Sequence, residues 1–319
     1  MAEKLLTINV ITYNHSKYIS QCLDSLLSQK TDFDFVIRIF DDCSTDGTTE
    51  ICRQYEQDYP DKIEFYLAEQ NLGITKNPKR SYKDIKTKYY MYIEGDDFCC
   101  NKSKLQKQIE ILENHPDCVF CAHKSSYNGE PYRNYPELTE GVYSAEDVVK
   151  AKALFVIHLP SRIVRTSAIP DNEQELNYYL LDTNQMYMLF EKGNLYFIDD
   201  VMTTYRVHPN GFWSGNTITN RFNFVWDNYM FCNDYFNSKY EKNIFKHIIA
   251  DLTIAYEDKY NLEVPSETIS NKIKRTKINL KALKHYILPP FIIDILNLPR
   301  DLVRFIKSRK ESLTHNKGE

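Results

Sequence analysis

Four stretches of the sequence hold side chains able to do chemistry. The densest is Glu94-Gly95-Asp96-Asp97, which ends the run Tyr89-Tyr90-Met91-Tyr92-Ile93. Clustered carboxylates repel one another unless a cation or a proton neutralises them. Hard oxygens on a short turn suit Mg²⁺ or Mn²⁺, ions that also bind substrate phosphates. Gly95 lets the backbone approach closely. A solvated acidic turn is the plainer reading, but the apolar strand before it argues for a central place. The second stretch is Asp41-Asp42, followed by Ser44, Thr45, Asp46 and Gly47. One acid there would cap a helix; two leave a carboxylate for a base N–H or a sugar hydroxyl. The third is Asp182 in YYLLDTNQMYML, either an N-cap or a general base for a hydroxyl proton. The fourth is His208 in TYRVHPNGFWSG, beside Arg206, Trp213 and Ser214. A lone histidine is usually structural, but this one lies in a Gly-containing loop able to close over a ligand, as a metal or phosphate contact.

The elements that must position these groups follow from periodicity. Residues 5–11, 35–40, 63–67 and 89–93 are β-rich, and the first reads as a strand covered on both faces. Between them, KYISQCLDSLLSQ keeps helical spacing from Tyr18 to Leu27, with Asn14 or Ser16 as its N-cap. A second helix covers about 47–58 and stops at Pro60, and a short one precedes residue 89. Strands alternating with helices predict a mainly parallel sheet with helices on its faces. Chemistry in such sheets gathers beyond the carboxyl ends of the strands. TYNHS, DDCSTDG and EGDD all fall there. Next come an amphipathic helix in KSKLQKQIEILENHP, a strand at 117–123, a loop over 124–145, a helix at 145–154 and a strand within 154–168. ELNYYLLDTNQMYMLFEKG is largely helical with Gly193 as C-cap, and NLYFIDDVMTTYRVH is strand-like. From about 218 onward the pattern is helical.

Composition narrows the class. The chain has 319 residues and 42% hydrophobic content, so it can build a large core. A net charge of −4 argues against a general nucleic-acid binder. No run reaches the roughly 18 apolar residues of a membrane span. Eight dispersed cysteines lack the density of a disulfide scaffold, so the thiols are read as reduced and the protein as cytoplasmic. Cys118-x-x-Cys121, with His123 beyond, resembles half a zinc site; with no second ligand pair nearby it reads as a buried strand.

Taken together, VITYNHSKYISQCLDSLLSQ, IFDDCSTDGTTEI, EQNLG, YYMYIEGDDF with KLQKQIEILENHP, LLDTNQMYMLFEKG and TYRVHPNGFWSG resemble the family-2 glycosyltransferases, in a bacterial branch that builds surface polysaccharides. The resemblance covers about residues 5–215. It implies a GT-A (Rossmann-like) α/β fold and an inverting transfer from a nucleotide-activated sugar, UDP by the family's habit, to a hydroxyl of a glycan or lipid-linked glycan. Residues 1–215 would be the catalytic domain, with the nucleotide-sugar half at about 1–100 and the acceptor half at 101–215. The nucleotide set implied is Thr12, Tyr13, Asn14, Asp41, Asp42, Asn71, Gly73, Arg80 and Asp96. The metal set is Asp96, Asp97 and His208, holding Mn²⁺ or Mg²⁺. Asp182 is the implied base, and His158, Ser161, Arg162 and Trp213 the acceptor contacts. Glu94 stands where the family's metal motif has Asp. The family's Arg-Asn after Asn-x-Gly is absent, and Lys76, Lys79 or Arg80 would supply its positive charge.

Residues 216–319 form a helical C-terminal region beyond the resemblance. Within it, residues 272–310 carry eleven Lys or Arg against two Asp, mixed with Ile, Leu and Phe. Such a segment packs on the catalytic domain, joins two copies in a homo-oligomer, or lies at the inner face of a membrane. Two other readings of the whole chain stand beside the transferase. One is a different metal–nucleotide enzyme such as a nucleotidyltransferase, which would want a Gly-rich basic loop after the first strand. The other is a catalytically silent binding module.

Overall fold

The runs read as strands all pair, and three short strands not read as such join them, two of them within the 124–145 segment expected to be loop. A computed structural model describes residues 4–131, 138–151, 157–179, 182–209 and 211. The chain falls into two units, Met1–Gly215 and Asn216–Glu319, and only the first contains described residues. In chain order the elements are β1 (Leu6–Thr12), α1 (Ile19–Leu27), β2 (Phe35–Asp41), α2 (Thr48–Asp58), β3 (Ile63–Leu67), α3 (Gly73–Ser81), β4 (Tyr89–Glu94), β5 (Phe98–Cys99), α4 (Lys104–Asn114), β6 (Cys118–Tyr127), β7 (Glu130–Pro131), β8 (Gly141–Tyr143), α5 (Ala145–Lys150), β9 (Ile163–Arg165), α6 (Glu173–Tyr179), α7 (Asp182–Phe190) and β10 (Asn194–Tyr205). Short 3₁₀ turns at Leu159–Ser161 and Thr166–Ala168 flank β9.

The strands form one sheet in the order β3-β2-β1-β4-β9-β6-β10-β5, with β7 on β6 and β8 on β10. The long ladders, β1 with β2 and β4, β2 with β3, and β6 with β10, are parallel; β9 joins the two halves antiparallel to β4 and β6. The chain leaves β1 for β2 and β3, then returns to β4 on the other side of β1. That reversal opens a crevice between the carboxyl ends of β1 and β4, where open α/β sheets bind ligands. Thr12 and Glu94 stand at its two lips, since Ile11 is in register with Glu94.

Packing explains why β1 is central. Leu6, Ile8 and Val10 are fully buried against Ile19, Leu23 and Leu26 of α1 and Leu105, Ile109 and Leu112 of α4. Burying each such side chain stabilises the fold by about 1.5–3 kcal/mol. The opposite face of β1 carries Thr7 and Asn9, also buried: Thr7 Oγ1 bonds Thr87 Oγ1 at 2.8 Å, and Asn9 Nδ2 donates to Ser81 O at 2.9 Å. Lys104 and Gln108 share the buried face of α4. Gln108 Nε2 donates to Cys121 O (2.9 Å) and Ser161 O (2.8 Å), tying α4 to β6 and the turn before β9. Cys118, Cys121 and His123 are all buried within β6, as a strand reading requires.

Some local expectations give way. Neither Asn14 nor Ser16 caps α1; the cap position is Tyr18, with no side-chain bond. Asn14 instead takes a left-handed φ of 55° and its Oδ1 accepts from Thr45 N at 2.8 Å, so it pins β1's turn to that of β2. Gly193 does not end α7 by a left-handed turn. It must be glycine because a Cβ there would lie 2.8 Å from Asp117 O. The described residues on both sides of positions 180 and 181 are helical, as the segment's pattern predicts. Among the described residues no helix is long and apolar enough to cross a membrane. The helical C-terminal region and its basic tail lie outside the described residues.

Candidate active site

The crevice is built from four turns. After β1, Thr12 is buried with no hydrogen-bond partner for its Oγ1, while Tyr13 stands exposed. After β2, Asp41 is fully buried: Oδ1 accepts from Ser44 N (3.1 Å) and Ser44 Oγ (2.5 Å), and Oδ2 from Thr49 Oγ1. Asp42 reaches across instead, accepting from Leu72 N (2.7 Å) and Gly73 N (2.8 Å) at the start of α3. The two adjacent acids thus have different tasks: Asp41 closes its own loop, and Asp42 holds the Asn71-Leu72-Gly73 turn against the crevice. Gly73 has a φ of +82°, a conformation that L side chains rarely adopt, and Asn71 is exposed. Asp46 joins the first two turns by accepting from Ser16 N at 3.0 Å and Thr48 Oγ1 at 2.5 Å. Burial works against its charge, but the Thr48 and Ser16 bonds prevail and hold its carboxyl at about 2.

The acidic turn closes the crevice from β4. Gly95 N donates to Ile11 O at 2.8 Å, so the turn lies directly on β1. A Cβ on Gly95 would meet Ile19 Cδ1 and Thr12 Oγ1 at 2.9 Å and His15 Nδ1 at 3.1 Å. Glu94, Asp96 and Asp97 each offer an oxygen, all within 4.8 Å of one another. Asp96 is 8% and Asp97 1% exposed, whereas Glu94 is exposed at the end of β4. Burial, together with the charges of Asp96 and Asp182, pushes the Glu94 carboxyl well above the usual range. Burial and the charges of Asp96 and Glu94 push Asp97 up against the N–H bond from Arg206. Asp96 Oδ1 and Asp97 Oδ2 are buried with no partner. Two orphaned carboxylate oxygens in a buried, self-repelling set are what a divalent cation would satisfy, so the residues present fit one.

Two histidines and an arginine brace that turn. His208 Nε2 lies 2.9 Å and His15 Nε2 3.7 Å from Asp96 Oδ2. Arg206 donates its backbone N–H to Asp97 Oδ1 at 2.9 Å and its guanidinium to Asp96 O and Gln21 Oε1. The guanidinium lies over the rings of Tyr18 (5.2 Å) and Phe98 (4.7 Å). His15 has no role in the reading of the sequence, although the polar turn after β1 that holds it was singled out. Among the three candidate cations, Lys79 is paired with Glu173 at 2.6 Å and Lys76 is exposed. Arg80 donates to Tyr66 O at 3.0 Å and feels the charges of Asp42 and Asp41.

Asp182 is the first residue of α7, near enough to Glu94 for its charge to help raise that carboxyl. Its side chain is 51% exposed and ion-paired to the buried Arg162. Ser161 and Arg162 are 0% and 2% exposed. Ser161 Oγ donates to His158 O at 2.6 Å. His158 Nε2 lies 2.5 Å from Tyr127 Oη, and burial lowers its imidazole to about 4, so it is neutral near pH 7. Trp213 lies outside the described residues.

Comparison with known proteins decides the family. The family model described as Glycosyl transferase family 2 matches residues 7–172. The chain belongs to glycosyl transferase family 2. An uncharacterised Mycobacterium tuberculosis protein is 27% identical to this family 2 chain over 217 residues, 65% of this chain and 60% of its own. The poly(ribitol-phosphate) β-N-acetylglucosaminyltransferase TarS of Staphylococcus aureus is 28% identical over 171 residues, 52% of this chain and 28% of TarS. The match therefore spans less than two thirds of either relative. Among solved structures, TarS residues 1–349 in complex with UDP-GlcNAc align with a TM-score of 0.57 and 17% identity, over 92% of this chain and 83% of that one. The mannosyltransferase PcManGT of Pyrobaculum calidifontis, in complex with GDP-Man and Mn²⁺, aligns with a TM-score of 0.54 and 13% identity, over 97% and 81%. At such identities the likeness shows the fold, which is GT-A.

Proposed function

We propose that this protein transfers a sugar, with inversion, from a UDP-sugar to a hydroxyl of a bacterial surface glycan or polyol-phosphate acceptor, free or lipid-linked. The observation that carries this reading is the buried acidic turn at the sheet's switch point, with two carboxylate oxygens lacking partners and Asp182 close enough to perturb Glu94. Family membership and the UDP-GlcNAc complex of a structural neighbour support the donor class. TarS, named for poly(ribitol phosphate), supports the acceptor class. Thr12, Tyr13, Asp42, Asn71, Gly73 and Arg80 line the path a nucleotide would take to the acidic turn. Asp96 and Asp97 would hold the cation, with His208 against Asp96. What a bound Mn²⁺ or Mg²⁺ supplies here is positive charge for the departing diphosphate.

In the reaction, Asp182 accepts the proton of the acceptor hydroxyl. That oxygen forms its bond to the anomeric carbon while the bond from that carbon to the phosphate oxygen breaks. The electron pair leaves with UDP, and the single displacement inverts the anomeric centre. One base suffices, unlike the paired carboxylates of glycosidases. The test is release of UDP from UDP-GlcNAc with poly(ribitol phosphate) as acceptor. Asp182→Asn is expected to lower turnover by about 10²–10⁴-fold while UDP still binds in calorimetry. Undiminished turnover in that variant would remove Asp182 from the chemistry.

A further inference from the structure

We propose that Arg162 is the positioning residue of the base: a buried guanidinium that fixes Asp182 at a set distance from the acidic turn. The inference rests on Asp182 being the base and goes beyond it by assigning what orients that base. Arg162 is 2% exposed and among the largest fully buried side chains. It immediately precedes β9, whose Ile163 is in register with Met91 of β4, the strand that ends in Glu94. The guanidinium is thus mounted on the framework that carries the acidic turn.

Its bonds describe a clamp. Nη2 donates to Ile157 O and is ion-paired with Asp182 Oδ1. Nη1 donates to Asp182 O at 3.2 Å and to Gln185 Oε1 at 3.0 Å. Gln185, 1% exposed, is itself fixed by donating Nε2 to Tyr82 Oη at 3.2 Å. One guanidinium therefore grips Asp182 twice, by backbone and by carboxylate, and grips the next turn of α7 once. A carboxylate that is 51% exposed would otherwise sample several rotamers. The grip takes Oδ1 and leaves Oδ2 as the oxygen available to a hydroxyl proton. Only the planar fork of arginine makes these bonds together; a lysine reaches one of them. Misplacement of a reacting group by about 1 Å can lower a rate about 100-fold.

The test uses the full chain with UDP-GlcNAc and poly(ribitol phosphate). Arg162→Lys is expected to lower kcat about 10- to 100-fold with the KM for UDP-GlcNAc and UDP affinity unchanged. In Arg162→Ala, added guanidinium ion is expected to restore part of kcat, and to restore none in Asp182→Asn. Gln185→Met loosens the clamp without removing a charge, and is expected to lower kcat alone by a smaller factor should the arginine variants fail to fold. A readout that needs no turnover is the crystal structure of Arg162→Lys or Gln185→Met, in which the Asp182 carboxylate is expected to be displaced. Wild-type kcat in folded Arg162→Lys and in Gln185→Met, or an undisplaced Asp182, would overturn the proposal. If Asp182→Asn is inactive in that same series, the base reading survives that failure; if Asp182→Asn is fully active, the base reading itself has failed.

Discussion

Gly95 shows how narrowly single residues are constrained here. A methyl group at this position would press on Ile19, Thr12 and His15 at 2.9–3.1 Å, and the turn cannot retreat because Gly95 N is bonded to Ile11 O. Gly95→Ala is expected to cost about 1–3 kcal/mol and to weaken UDP binding, measured by denaturant unfolding and calorimetry. Lys104 makes a second case. It is fully buried and its Nζ donates to Gln108 Oε1 at 2.8 Å and contacts Met91 Sδ at 3.3 Å. Burial lowers its ammonium to about 8, against about 10.4 in the unfolded chain. Between those values the unfolded state binds more protons, so stability rises with pH from about 8 to about 10.4 and is flat in this contribution below. Lys104→Met removes the buried charge and is expected to raise the melting temperature at pH 7 and flatten that alkaline rise. The chemistry-bearing residue types were legible in the sequence because acids, glycine and histidine stand out after apolar strands. The burial of Arg162 and Ser161 is not legible, since polar residues beside a loop give no sign of it. His15 was passed over because one histidine in a polar turn looks like a surface residue until Asp96 is found 3.7 Å away.

At the scale of elements, β1, β2, β4, α1 and α4 were legible from period, because each buries a face long enough to leave a pattern; β3 buries only Ile63 and α2 only Thr48 and Cys52, and these were legible from residue type and the turns that bound them. β9 is three residues long and β5 two, too short for any period, yet β9 joins the two halves of the sheet. The partners of Asp41 and Asp42 depend on which turns the sheet brings together, and 30 residues separate Asp42 from Leu72. Asp42 holds the start of α3 by two amides, a charged anchor at a helix N-terminus. Asp42→Ala should therefore speed hydrogen exchange at Leu72 and Gly73 and weaken UDP binding, while amides within β1 exchange as before. Unchanged exchange at Leu72 and Gly73 would show that the anchor is not needed.

At the scale of the molecule, the parallel half of the sheet places three distant polar turns in one crevice, and this consequence of topology was the most legible feature of the sequence. The position of the crevice follows from chain order: β4 returns beside β1, so the turns after those two strands must meet. Residues 272–310 add a different expectation, drawn from their charge alone. The full chain should sediment with vesicles containing anionic lipid at low salt and be released as salt rises; equal recovery with neutral vesicles would remove that role. In the proposed function, a divalent cation carrying the diphosphate would let the carboxylates of the acidic turn tolerate one another. Calorimetric titration of the full chain with UDP in Mn²⁺, and again with excess chelator, tests it most directly. Affinity is expected to fall at least about tenfold on chelation, a loss of about 1.4 kcal/mol, and Asp96→Asn in Mn²⁺ is expected to show the same loss. Equal UDP affinity with and without the metal would contradict the account.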